Sequence, residues 1–142
     1  MKRHIIQTLL VEPGRNPVCA YLPLKRAAME QAIGINASSV GVARVKEIDP
    51  GIYILYQDEG IPLELEGNRR VGSQIITGTF YVIAADGRGN IGSLSNYDLQ
   101  KYQERFWEPE TFTYEEMLQG CLETSLRALD ELEFCQKINT YY

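Results

Sequence analysis

The sequence predicts a single α+β domain, an antiparallel or mixed sheet of about five strands packed with three helices, two of them C-terminal. Three observations predict it. Short β-rich runs recur between Pro, Gly and Asn turn signals over the first two-thirds of the chain. Two Ser/Thr cap signals stand in the last third, each with an acidic residue three positions on. The chain has 142 residues, 44% hydrophobic and 23% charged, the make-up of a globular domain able to bury roughly two-thirds of its unfolded surface.

The first strand is expected over Ile5 to Val11, ending at the turn Glu12-Pro13-Gly14, with a second extended piece from Val18 to Leu22. Pro23 is expected to open a helix from Leu24 to Ile33 with Leu24, Ala27, Ala28, Gln31 and Ala32 along one side and Gly34 as its C-terminal cap. Val40 to Ile48 and Ile52 to Gln57 read as a hairpin around Asp49-Pro50-Gly51, where Pro fixes φ and Gly accepts a positive one. A short strand is expected over Ile61 to Glu66, followed by a loop at Gly67-Asn68-Arg69-Arg70.

The longest β-rich run, Ile75 to Asp86, reads as the central strand. Alternation puts Ile76, Phe80 and Val82 on one face and Thr77, Thr79, Tyr81 and Ile83 on the other, so both faces are covered. Gly78 inside it predicts a bulge or a close approach. Asp86-Gly87-Arg88-Gly89-Asn90 then turns into Ile91 to Leu94. Ser95 caps the first C-terminal helix, with Leu94 stapled onto Leu99. Thr113 caps the second with Glu116 at the reciprocal position and Phe112 stapled onto Met117. That helix carries Met117, Cys121, Leu122, Ser125, Leu129 and Leu132 on one stripe.

The net charge is −5, and its distribution is uneven. From Glu104 onward nine acidic residues face three basic ones, a net of −6, which leaves +1 on the rest. Cys19, Cys121 and Cys135 lack metal-binding spacing and read as reduced thiols, and the single His4 cannot build a His-based triad or a multi-His metal site within one chain. No run approaches the roughly 18 apolar residues of a membrane span. The apolar start is broken by Gln7 and Thr8 and ended by Glu12-Pro13, which reads as a strand rather than a signal peptide, so a cytoplasmic protein is expected.

Gly87-Arg88-Gly89-Asn90-Ile91-Gly92 spells G-x-G-x-x-G, but the helix begins too late for a dinucleotide site and a glycine-rich turn is the preferred reading. Asn68-Arg69-Arg70 is the most chemically pointed cluster. It can grip a phosphate or carboxylate beside Tyr81, or the arginines can salt-bridge the acidic C-terminal helices. The carboxylate neighbours Asp58-Glu59, Glu64 with Glu66, and Glu115-Glu116 read as solvated surface. Nothing matches a catalytic constellation, so no enzyme, cofactor or metal is expected. Glu116, Glu123 and Asp130 recur at roughly 10.5 Å, far sparser than the roughly 1.7 Å charge spacing of duplex DNA. Nucleic-acid mimicry therefore gains little from one helix, although a homodimer would add to it. No basic stripe favours direct nucleic-acid binding.

Val11-Glu12-Pro13-Gly14, Asn68-Arg69, Ile76-Thr77-Gly78-Thr79-Phe80 and Tyr102-Gln103-Glu104-Arg105-Phe106 occur in an order that resembles a family known only as a domain of unknown function. That family consists of small proteins on phages, plasmids and conjugative elements of gut and Gram-positive bacteria. The resemblance covers Leu9 to Phe106, residues 9–106 of a single 1–142 domain, and leaves 107–142 as a helical appendage. It implies an accessory role in a mobile element. Two functions are carried forward. One is binding of a host protein, including inhibition of a defence nuclease of the anti-CRISPR or anti-restriction type, helped by nine tyrosines suited to interfaces. The alternative is a module that binds or sequesters a nucleotide-like small ligand through Asn68, Arg69, Arg70 and Tyr81.

Overall fold

A computed structural model describes residues 4–36, 41–58 and 65–119. Eight strands and two helices follow one another as β1 (Ile5–Val11), β2 (Val18–Pro23), α1 (Arg26–Ala32), β3 (Val42–Asp49), β4 (Ile52–Asp58), β5 (Gly67–Val71), β6 (Gln74–Thr77), β7 (Phe80–Ala85), β8 (Ile91–Gly92) and α2 (Asn96–Arg105). Residues 114–119 are helical and give a third helix. The main sheet runs β2-β1-β7-β4-β3 with β8 added on β7, and every ladder in it is antiparallel. It thus has six strands rather than about five.

The central run is where expectation and structure part. Ile75 to Asp86 is two strands, β6 and β7, in two different sheets. Gly78 adopts φ +70°, a left-handed conformation that an L side chain rarely takes, and there the chain steps from one sheet to the other. β6 pairs instead with β5, so the expected loop at Gly67-Asn68-Arg69-Arg70 is itself a strand. The signal for this hairpin was Gly72-Ser73, a two-residue turn with Gly72 at φ +63°.

The split leaves the facing pattern intact, because side chains still alternate. Ile76, Phe80 and Val82 join Leu9, Val11, Ile54, Leu94, Tyr102 and Phe106 in one core, between the main sheet and a layer made of the β5–β6 hairpin and α2. Phe80 and Phe106 meet edge to face, with ring centroids 5.4 Å apart. Tyr81 and Ile83 belong to the second core on the opposite face, with Ile6, Leu22, Leu55, Met29 and Ile33. On that face α1 is shorter than expected. It starts at Arg26 because Pro23 ends β2 instead of opening the helix, and it buries Met29 and Ile33 rather than the alanine stripe. Gly34 follows at φ +90°, as a C-terminal glycine should.

Both C-terminal caps form as read. The Ser95 hydroxyl accepts from Asp98 N–H at 3.1 Å. Thr113 N–H donates to Glu116 Oε1 at 3.0 Å while Glu116 N–H donates to Thr113 Oγ1 at 3.1 Å, a reciprocal box that holds the Glu116 carboxyl below its usual range. The glycine-rich stretch closes the β7–β8 turn. Asp86 Oδ1 accepts from the Arg88 and Asn90 amides at 2.8 and 3.0 Å, which keeps that carboxyl low as well. The expected strand over 61–66 falls largely outside the described residues. The stripe from Cys121 to Leu132, Cys135, and the acidic pair Glu123 and Asp130 lie outside them entirely.

Candidate functional site

A register shift between Gly67 and Arg69 turns both Asn68 and Arg69 inward, and from Arg69 onward β5 alternates, so Arg70 points the other way. Asn68 is fully buried and its Nδ2 donates to Val11 O and Gly78 O, both at 2.8 Å. It therefore ties the end of β1 to the crossover between the two sheets. Arg69 is also buried, at 1% exposure. Its Nε donates to Phe106 O at 3.0 Å, Nη2 to Arg15 O at 2.6 Å, and Nη1 to Asn68 Oδ1 at 2.8 Å.

Among the described residues the guanidinium is held by oxygen dipoles rather than by a carboxylate in contact with it. One of them is the carbonyl at the C-terminal end of α2, where the helix dipole favours a cation. Burial lowers the pKa of Arg69, and the more distant Glu110 opposes that shift. This side chain clasps the loop after β1, the hairpin and α2 together.

Arg70 points outward. Its backbone N–H donates to Glu110 Oε2 at 2.9 Å, its Nη2 lies 3.3 Å from Glu116 Oε2, and its guanidinium stands over the Phe112 ring at 5.8 Å. Phe112 and Met117, the expected staple pair, both come against Gly67, where a Cβ would lie 2.7 Å from the Phe112 ring. Arg70 thus fits the salt-bridge reading, and the segment after residue 109 is laid against β5. Tyr81 sits on the other face of the sheet, buried, with its hydroxyl pKa raised by burial first and by Glu12 second. Asn68 and Arg69 meet, Arg70 turns away, and Tyr81 does not converge with them.

A second polar cluster joins α2 to the β3–β4 turn. The Tyr102 hydroxyl donates to Asp49 Oδ2 in a short hydrogen bond, and Arg105 Nη1 reaches the same oxygen at 3.3 Å. Lys101 and Arg105 stack on the Tyr102 ring at 5.3 and 6.0 Å. Burial and then the Asp49 contact push the Tyr102 pKa well above the ordinary tyrosine value. Among the described residues no group of three or more His, Cys, Asp and Glu side chains could hold a metal ion. No helix among them is long and apolar enough to cross a membrane.

Of the nine tyrosines, the structure puts several on the surface. Tyr97 is 77% exposed, Tyr21 65%, Tyr114 64% and Trp107 46%. Tyr97 lies in the first turn of α2 and Trp107 just past its end, and α2 packs along β1. Gln7 Nε2 donates to Asn96 Oδ1 at 3.0 Å, and its Oε1 accepts from the Tyr21 hydroxyl at 3.4 Å, which brings β2 beside the start of α2. At the other end Gln103 Nε2 donates to Pro17 O at 3.1 Å and Asn16 Nδ2 to Trp107 O at 2.7 Å. Tyr97 and Trp107 therefore mark the two ends of α2, beside the exposed Tyr21. The signal available in the sequence was the Val18–Pro23 strand, which has a tyrosine but no charge.

No curated protein and no solved structure matches the chain. A family model does match, over residues 6–107, and its description is domain of unknown function (DUF3846).

Proposed function

The chain belongs to the DUF3846 family, and from that premise, which brings no activity with it, we propose that it is a protein-binding factor whose contact surface is the aromatic side of α2. The observation that carries this reading is the exposure of Tyr97 and Trp107 at the two ends of one helix, beside the exposed Tyr21. Folding alone favours burying such rings, and aromatic side chains are the residues that most often anchor protein interfaces. The neighbouring Lys101 and Arg105 add a basic edge suited to an acidic rim on the partner. The mobile-element setting implied by the family resemblance makes a host protein the expected partner, a defence nuclease among them.

The small-ligand alternative loses its main support in Arg69. A guanidinium already placed on four oxygens of its own chain would have to give them up to grip a phosphate. The test is capture of host partners from lysate with mass-spectrometric identification, followed by calorimetric titration with the purified partner. Tyr97→Ser with Trp107→Ser should abolish that titration while leaving thermal unfolding in place, and Arg70→Ala should keep it. Saturable binding of a nucleotide, lost on Arg70→Ala and kept in the aromatic variant, would overturn the reading in favour of the ligand module.

A further inference from the structure

β2 is an edge strand of the main sheet, and its ladder with β1 has no bulge and its side chains no charge. Leu24 N–H donates to His4 O at 2.7 Å, which sets the phase of the β1–β2 ladder. By alternation Gln7 turns its backbone groups away from β2. They do meet Ser93 and Leu94 there, at 2.8 and 2.9 Å. The residues paired with Gln7 and Leu9 are Tyr21 and Cys19, so these two turn their N–H and C=O groups outward from the other side of the ladder. Among the described residues neither backbone has a partner on that side, and Val18 and Tyr21 are 50% and 65% exposed.

We infer that this edge pairs with the same edge of a second copy, antiparallel about a two-fold axis at Ala20. The pattern is its own complement when inverted. Cys19 would meet Tyr21 of the other copy and Tyr21 its Cys19, each pair exchanging N–H···O bonds, about four in all. Ala20, the smallest side chain of the strand, would face itself at the axis. Pro17 and Pro23 bracket the strand and have no N–H to offer, so the ladder ends where this register ends. The strand carries no charge, so no like charges meet across the axis. The opposite edge differs. β3 carries Arg44, Lys46 and Glu47 and a register shift before Asp49, the charge and bulge that natural edges use to avoid pairing. The two-fold would make one continuous sheet and place both copies of α2 on the same face. The inference rests on the edge and not on the proposed partner surface.

The full chain is examined by light scattering over a concentration series, with amide hydrogen exchange and two variants. The expected result is a mass of twice 16.1 kDa at high concentration. The Cys19 and Tyr21 amides should exchange slowly only in that range, since the single copy offers them nothing. Cys19→Pro removes an N–H that has no partner in the single copy, and Tyr21→Lys puts a charge on the edge. Both should give a 16.1 kDa species with an unchanged circular dichroism spectrum. Should Cys19→Pro fail to fold, Tyr21→Lys decides alone. A single-copy mass at every concentration, fast exchange at both amides within a dimer, or a dimer that survives the folded variants would each overturn the inference. None of these readouts involves a host partner, so the outcome does not depend on the proposed function.

Discussion

At the scale of single residues, Asn68, Arg69 and Arg70 show why adjacency in sequence is a poor guide to shared chemistry in a strand. Arg69 lies inward on four oxygens, and Arg70 lies outward on Glu116. Replacing Arg69 by Ala leaves those buried oxygens without donors and opens a void. The expected loss is about 2–4 kcal/mol in urea unfolding. Arg69→Lys should recover little, because one ammonium cannot reproduce a planar fork aimed at four acceptors. Arg70→Ala breaks a half-exposed pair and should cost less than about 1 kcal/mol. Equal losses at the two positions would contradict the inward and outward assignment. Only the residue types were legible in advance. Which arginine is buried depends on the strand phase of β5, and the sequence predicts no strand there.

At the scale of elements, the step between β6 and β7 decides the architecture. Gly78 is held there by Asn68 on its carbonyl and by Glu66 O on its own N–H at 2.8 Å. A Cβ at this position would carry a positive φ and lie 3.1 Å from Leu65 Cδ1. Gly78→Ala is therefore expected to cost about 1–3 kcal/mol. Gly72→Ala shares the positive φ but meets nothing within 4 Å, and should cost less. Denaturant midpoints of the two variants check the ranking, and a milder effect at Gly78 would sink it. The caps and the first two strands could be read directly, because Ser95, Thr113, the β-rich run Ile5 to Val11 and the turn after it act through local geometry. Of the β5–β6 hairpin only the Gly72-Ser73 turn is local in this way. The hairpin's apolar positions, Val71 and Ile76, make sense only against a sheet built from distant parts of the chain.

At the scale of the whole molecule, Tyr102 and Asp49 join the helical layer to the end of the β3–β4 hairpin, and this link gives stability a pH dependence. The folded-state pKa of Tyr102 is raised, first by burial and then by Asp49, and that of Tyr81 is raised by burial. A raised pKa means that the folded state holds the proton more tightly than the unfolded chain. That contribution is complete below the ordinary tyrosine value of about 10 and is lost as pH rises above it. Unfolding free energy should thus fall between about pH 8 and about pH 11. Tyr102→Phe should lose about 1 kcal/mol at the lower pH and show a smaller fall to the higher one. An equal fall in both proteins would remove Tyr102 from the account. The sequence by itself determined the α+β class, the caps, the hairpin at Asp49-Pro50-Gly51 and the facing of Phe80, Val82, Tyr81 and Ile83. Each of those follows from forces acting within a few residues. Only the tertiary structure decided where the central run breaks, that Arg69 is enclosed, and that Tyr97, Trp107 and Tyr21 are left exposed. Those outcomes depend on which distant segment supplies the covering layer and the carbonyl oxygens, and no local pattern encodes that choice.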